Sequence, residues 1–471
     1  MTDILDENTT GPDIRIDPDT GNKIITWDRN GETMEFIVGS SPEGTDIWQR
    51  VPYDAADYGP VTDFVTDFDH ADPAYNPNAP EVWKAVREGG CPIAHSDRYG
   101  GMWVPLTHDT VHEVAYDTDH FSSRSVVPSV GRPGDRALPA PIGLAPPITS
   151  DPPFHAVARR LLLPAFAPKV IEPWESEIRL LCQRLLDEIG DITPGETVID
   201  AAVQYAQHIP VNVIRRMLGF PEKDEAMFRE MVHEVLERIN EEPGTRQTSN
   251  DFGAYVQEQI ADHRENPRDD LTNFLMNTEL DGNKLADEVV EGMIILLLVA
   301  GVDTTWSAIG SSLWHLAQHP EDHQRLLDDP EVMTFALEEF LRAYAPVTMG
   351  RLVTEDIDFH GCPMKKDDWV LLAFPAANRD PLKFEDPDTF VIDREENRHA
   401  AFGLGIHRCV GSNLARLELK VAIEEFIKRF PRFELAGDTR WSVGMVRGPR
   451  EIPVRILETA WRDSSREGAA E

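Results

Sequence analysis

The chain has 471 residues, 41% of them hydrophobic, with 83 Asp and Glu against 45 Lys and Arg for a net charge of −38. That balance makes nucleic acid and anionic membrane poor partners. Four scattered cysteines, Cys91, Cys182, Cys362 and Cys409, form no disulfide framework, so a reducing compartment is expected.

The first seven residues are acidic and carry neither a basic nor an apolar leader region, so no signal peptide, no membrane anchor and a cytoplasmic location are expected. Residues 14–38 alternate in polarity around two turn signals, Thr20-Gly21-Asn22 and Asn30-Gly31, and predict a small β-meander. An irregular Asp/Pro-rich stretch follows to Pro80. Residues 1–75 therefore read as an extension packed on a main domain of residues 76–460, with a polar tail over 461–471.

Within the main domain, Glu81 to Glu88 reads as a helix, with short strands near Ile93 and Met102 to Pro105. Thr107 is placed to cap a helix running to Asp117. Val126 to Pro153 is too rich in Pro and Gly for regular structure. Helical periodicity then covers His155 to Phe166, Ile171 to Ile189, Ala201 to Leu218, Glu222 to Asn240 and Phe252 to Glu265. A long helix over Asp287 to Ala317 is apolar in its first half, and Pro320 to Asp328 and Glu331 to Tyr344 follow. Short strands are expected around Arg351 to Thr354, Ile357 to Phe359 and Val370 to Ala373. The expected fold is mainly α with a smaller β region.

Four motifs carry chemistry. The loop Phe402-Gly403-Leu404-Gly405-Ile406-His407-Arg408-Cys409-Val410-Gly411 holds one cysteine between glycines, just before a helix N-terminus. Such a place favours a thiolate and suits a metal ligand. Glu339 and Arg342 share a helix face at i and i+3. Ala300-Gly301-Val302-Asp303-Thr304-Thr305 puts an acid and a hydroxyl inside an apolar helix, where a buried Asp needs a partner or a task. A purely structural alternative is a Thr hydroxyl bonding back to the i−4 carbonyl. Asp151-Pro152-Pro153 opens a helix on which His155 and Arg159 share a face suited to carboxylates.

In this order and spacing the motifs resemble the cytochrome P-450 family, over roughly residues 80–457. The resemblance implies the P-450 fold, with haem b held between the long distal helix and the Cys-loop helix. It implies Cys409 as the iron ligand, with Phe402, Gly403 and Gly411 shaping the loop. His155, Arg159, Arg351 and His407 would bind the haem propionates, and Ala300 and Gly301 would lie along the haem. Glu339, Arg342 and Arg394 would form a supporting network. Thr304 would steady bound dioxygen, and Asp303 would relay protons.

A lipophilic substrate would be lined by the Val126 to Ile148 loop, Met293, Leu297, Ala300, Val347, Met349 and Val446. The activity implied is monooxygenation: hydroxylation, O-demethylation or epoxidation. No flavin, Fe–S or dinucleotide signature is visible, so electrons are expected from a separate ferredoxin and its NAD(P)H-linked reductase. Arg160, Arg408, Arg416 and Lys420 form a candidate docking patch. A monomer is expected. Rival readings are a peroxide-driven peroxygenase of the same fold and a non-catalytic haem sensor or carrier.

Overall fold

The structure, a computed structural model, describes residues 10–16, 23–29, 32–38, 59–128, 145–233, 248–280 and 283–460. The expected polar tail and most of the Val126 to Ile148 loop lie outside these residues. At the N-terminus, Thr10–Ile16, Lys23–Arg29 and Glu32–Val38 pair as a three-stranded antiparallel meander, with Ile24 opposite Ile37 and Trp27 opposite Met34.

Residues 59–75, which the sequence assigns to the extension, pack tightly with the main domain. Phe68 and Tyr75 are buried, with ring centroids 4.8 and 5.7 Å from that of Trp83. Arg98 forms ion pairs with Asp67 and Asp69 at 2.6 and 2.8 Å. The Asn76 amide reaches across the fold to the Ser442 carbonyl at 2.7 Å.

The long helix, Asp287–Leu316, is the axis of the main domain. It is apolar on nearly every face from Val289 to Leu298, the pattern of a helix surrounded by others. Asp287 and Glu288 open it, matching the positive end of its dipole. It is the one described helix long and apolar enough to cross a membrane, but 72% of its most apolar window is buried inside the protein. His208–Met217 packs along it, and the C-terminal helix Ser412–Arg429 lies between it and Trp174–Glu188. Together these helices bury one large apolar core.

The β region forms a five-stranded sheet in the order Ile93–Ser96, Met102–Pro105, Trp369–Leu372, Met349–Val353, Phe121–Ser122. One pair, Met102–Pro105 with Trp369–Leu372, is parallel. Thr107 caps the helix His108–Tyr116 in a reciprocal capping box with Thr110. Four expected helices are divided. The one expected over Glu222 to Asn240 opens with a 3-10 turn, Glu222–Asp224, before Glu225–His233, and its last residues lie outside those described. A turn of π-helix, Ala202–Ala206, precedes His208–Met217. Pro168–Ile171 is separate from Trp174–Glu188, and Pro330–Val332 forms a 3-10 turn before Met333–Ala343. Proline lacks an N–H and restricts the residue before it, so Pro173 and Pro330 stand where the helices begin again.

Candidate functional site

The cysteine loop folds as a tight double turn. Gly403 N–H donates to Ala400 O at 2.8 Å, and Cys409 N–H donates to Phe402 O at 2.7 Å. Gly405 has φ +66°, and a Cβ there would stand 2.2 Å from the Ala115 carbonyl oxygen. A side chain is thus excluded twice, by backbone conformation and by contact. Cys409 retains accessible surface although protein surrounds it, the arrangement of a residue facing an internal cleft. Burial pushes its thiol above the usual range, outweighing the Gly411 amide and Arg159, Arg408 and Arg416. Burial therefore opposes the thiolate that the sequence expects, and an iron bound there would favour it.

Arg416 stacks 4.4 Å over the Phe402 ring and forms a two-pronged ion pair with Glu338 at 2.6 and 2.8 Å. Glu338 also meets His399 Nε2 at 3.0 Å. Burial pushes the Glu338 carboxyl up, but Arg416 and His399 prevail and hold it at about 2. Its neighbour Glu339 faces the other way. Arg342 grips it at 2.7 Å with Nε and with a terminal nitrogen, both side chains fully buried. Arg394 Nε donates to Glu339 at 3.1 Å, and Asn397 adds a bond at 3.0 Å. Consecutive glutamates on one helix thus anchor both strands of chain that lead into the cysteine loop.

Beside the loop the structure gathers His155, Arg159, Arg351 and His407. The two imidazoles lie 4.3 Å apart between centroids. Ser123 Oγ, which sequence reasoning missed, meets His407 Nε2 at 2.9 Å. Asp151 accepts from Ser123 N–H at 2.7 Å and so ties the start of Phe154–Leu162 to the sheet. Burial, then Arg351, His155 and Arg159, drive the His407 imidazolium down to about 2. Burial, then Arg159 and Arg351, drive His155 down to about 4. Burial lowers Arg351 to about 10, with Asp151 opposing. Arg159 donates to the Arg408 carbonyl. Among the described residues, His155 Nε2 is buried without a hydrogen-bond partner. A partly buried set of basic groups whose arginines depress its imidazoles fits a ligand bearing carboxylates, as haem does.

On the long helix, Thr304 Oγ1 donates to Ala300 O at 2.8 Å. The backbone-bonded arrangement, weighed in the sequence as a structural alternative, is the one present. It uses the hydroxyl proton and orients the oxygen lone pairs. The helix runs unbroken through Gly301, where a Cβ would lie 3.6 Å from Ile214. Asp303 is buried and pairs with Arg450 at 2.7 Å, a partner no local motif signals.

The lining candidates separate into two groups. Met293 and Leu297 lie in the closed apolar core, whereas Ala300 is open. Val347 and Val446 pair in an isolated antiparallel bridge, and Thr348 N–H donates to Met445 O at 3.1 Å. Val126 O accepts from Gly350 N–H at 2.8 Å, which brings the start of the 126–148 loop beside Met349. Of the candidate docking cations, Arg160 and Arg408 are exposed. Arg416 is committed to Glu338, and Lys420 lies within 3.9 Å of Glu175 and Glu424.

Residues 199–441 match the family description Cytochrome P450. The polyketide biosynthesis cytochrome P450 PksS of Bacillus subtilis is 35% identical over 319 residues, covering 66% of this chain and 77% of that protein. The mycinamicin IV hydroxylase/epoxidase of Micromonospora griseorubida is 33% identical over 363 residues, covering 75% and 89%. Among solved structures, CYP109E1 from Bacillus megaterium in complex with testosterone superposes with a TM-score of 0.73 at 29% identity, covering 82% of this chain and all of that one. The chain belongs to the bacterial cytochrome P450 family, whose cofactor is haem, and is an oxidoreductase of the monooxygenase class.

Proposed function

We propose that the protein is a haem-thiolate monooxygenase that inserts one oxygen atom of dioxygen into a lipophilic small molecule. The observation that carries this reading is the basic set beside Cys409, with His155 and Arg351 buried and Arg159 and His407 half-buried. It suits the two propionates of haem b, with Cys409 as the iron ligand and Phe402, Gly403 and Gly411 shaping the loop around it. When bound, haem supplies the electron-transfer chemistry that activates dioxygen.

The chain's own residues do the rest. Glu339, Arg342 and Arg394 hold the segment before the loop. Thr304, steadied by Ala300 O, offers a fixed hydroxyl oxygen, and Gly301 keeps the helix face low. Asp303 is the acid one residue away and the proposed proton carrier. Val347, Met349 and Val446 are proposed as one wall of the substrate site, with Met293 and Leu297 of the long helix as further lining. A polyketide pathway and a testosterone complex among the relatives' names support a lipophilic substrate. A ferredoxin with its NAD(P)H-linked reductase is the proposed electron source, docking near Arg160 and Arg408. A cytoplasmic monomer is proposed, with residues 1–75 packed against the catalytic domain.

The test is the spectrum of the reduced carbon monoxide complex. The wild-type protein should show thiolate ligation, and Cys409→Ala should lose it. Retention of that spectrum in Cys409→Ala would sink the reading. Turnover with ferredoxin, reductase and NAD(P)H, set against turnover with peroxide alone, separates monooxygenase from peroxygenase.

A further inference from the structure

We propose that His315, His319 and Asp322 form a site for a divalent first-row transition metal, separate from the haem site. The three side chains offer ligand atoms that lie within 4.8 Å of one another. His315 lies in the last turn of the long helix and His319 just past its end, at the start of the next helix, their rings stacked with centroids 4.2 Å apart. Asp322 belongs to the first turn of the next helix, Pro320–Asp328. Thr304 lies eleven residues earlier in the long helix, about 16 Å along its axis, so the two sites do not share groups.

The outer partners are what distinguish this cluster from a chance one. His315 Nδ1 meets Tyr344 OH at 2.7 Å, and His319 Nδ1 meets Glu321 Oε1 at 3.2 Å. Both imidazoles have Nδ1 engaged, so a metal would bind at Nε2, replacing the proton that His315 Nε2 shares with Asp322. A metal-binding histidine almost always has its other nitrogen held in this way, by a carboxylate or similar group. The His315 ring is fixed further by Phe390, with centroids 3.9 Å apart.

His315 Nε2 and Asp322 Oδ2 lie 2.8 Å apart. That is a hydrogen bond in the metal-free protein; a metal between the two atoms would replace the shared proton and open the pair to the roughly 3.3–3.4 Å that tetrahedral ligands at about 2.0–2.1 Å need. His315 is buried, Asp322 half-buried and His319 exposed, so one ligand is prepositioned and another is free to swing in. Two imidazoles and one carboxylate select zinc, cobalt or nickel over magnesium or calcium. The bound metal would fasten the end of the long helix to the start of the next.

The haem-loaded full-length protein, stripped with chelator and dialysed against zinc chloride, should retain one zinc per chain by elemental analysis. Excess magnesium should not displace it. X-ray absorption at the zinc edge should show two imidazole ligands. His319→Ala changes an exposed side chain and should abolish binding while leaving the reduced carbon monoxide spectrum intact. Glu321→Gln, which alters only the outer partner, should weaken binding roughly 10–100-fold. Failure of the wild-type protein to retain zinc overturns the proposal. So does equal retention by His319→Ala and Asp322→Asn.

Discussion

Arg450 and Asp303 form an ion pair of 2.7 Å in which neither side chain reaches solvent appreciably. It joins the strand Pro449–Glu451 to the middle of the long helix. Arg450 also donates to Ser307 Oγ at 3.0 Å and lies 4.3 Å over the Trp306 ring. The guanidinium is thus held by three residues on successive positions of one helix face and its flank.

Removing the cation leaves the Asp303 carboxylate buried without it. Arg450→Met should therefore cost about 3–5 kcal/mol of stability, read by denaturant unfolding. Adding Asp303→Asn to that variant should recover part of the loss, because the stranded charge is gone. Simple addition of the two single losses would show that the pair is not coupled.

Thr304→Ala removes the hydroxyl while its helix stays intact, since the lost bond to Ala300 O is local. The expected outcome is oxygen consumption that no longer matches product formed. Product per dioxygen consumed is the measurement, and an unchanged ratio would remove Thr304 from the proposed role.

Gly405→Ala tests the loop itself. The new Cβ would meet the Ala115 carbonyl at 2.2 Å in a backbone of φ +66°. A cost of about 1–3 kcal/mol from the strained conformation alone is expected, with the contact adding to it. Haem content and thermal midpoint should both fall. A variant with wild-type haem content would mean that the loop relaxes at little cost.

Glu338 makes the loop's support sensitive to acid. Its folded-state value of about 2 lies below the ordinary 4.5, so the folded protein binds that proton less readily than the unfolded chain. Its contribution is full above about pH 4.5 and is lost as pH falls toward about 2. Glu338→Gln should be less stable than wild type near neutrality, and the gap should close with acidification. Unfolding midpoints of both proteins across that range check the sign; a constant gap would rule it out.

Arg351→Leu removes one of the four basic groups beside the loop, itself buried. A hydrogen bond to a charged group contributes about 1.5–3 kcal/mol, so haem transfer to an apoprotein acceptor should be roughly 10–100-fold faster. An unchanged transfer rate would separate Arg351 from the cofactor.

Local chemistry determined much of this molecule. Gly403 and Gly405 before Cys409 follow from backbone requirements legible in a few residues. The capping box at Thr107 and the apolar span of the long helix are also local patterns, so their elements were readable in the sequence. Tertiary structure decided the partners. Arg450 reaches Asp303, Glu338 reaches Arg416, and Ser123 reaches His407 across long chain separations. No periodicity encodes such pairings, because each depends on which faces the core brings together. The surroundings of Cys409 were decided the same way. The sequence places a cysteine where a helix end and basic neighbours favour a thiolate, and the fold adds a burial that opposes it.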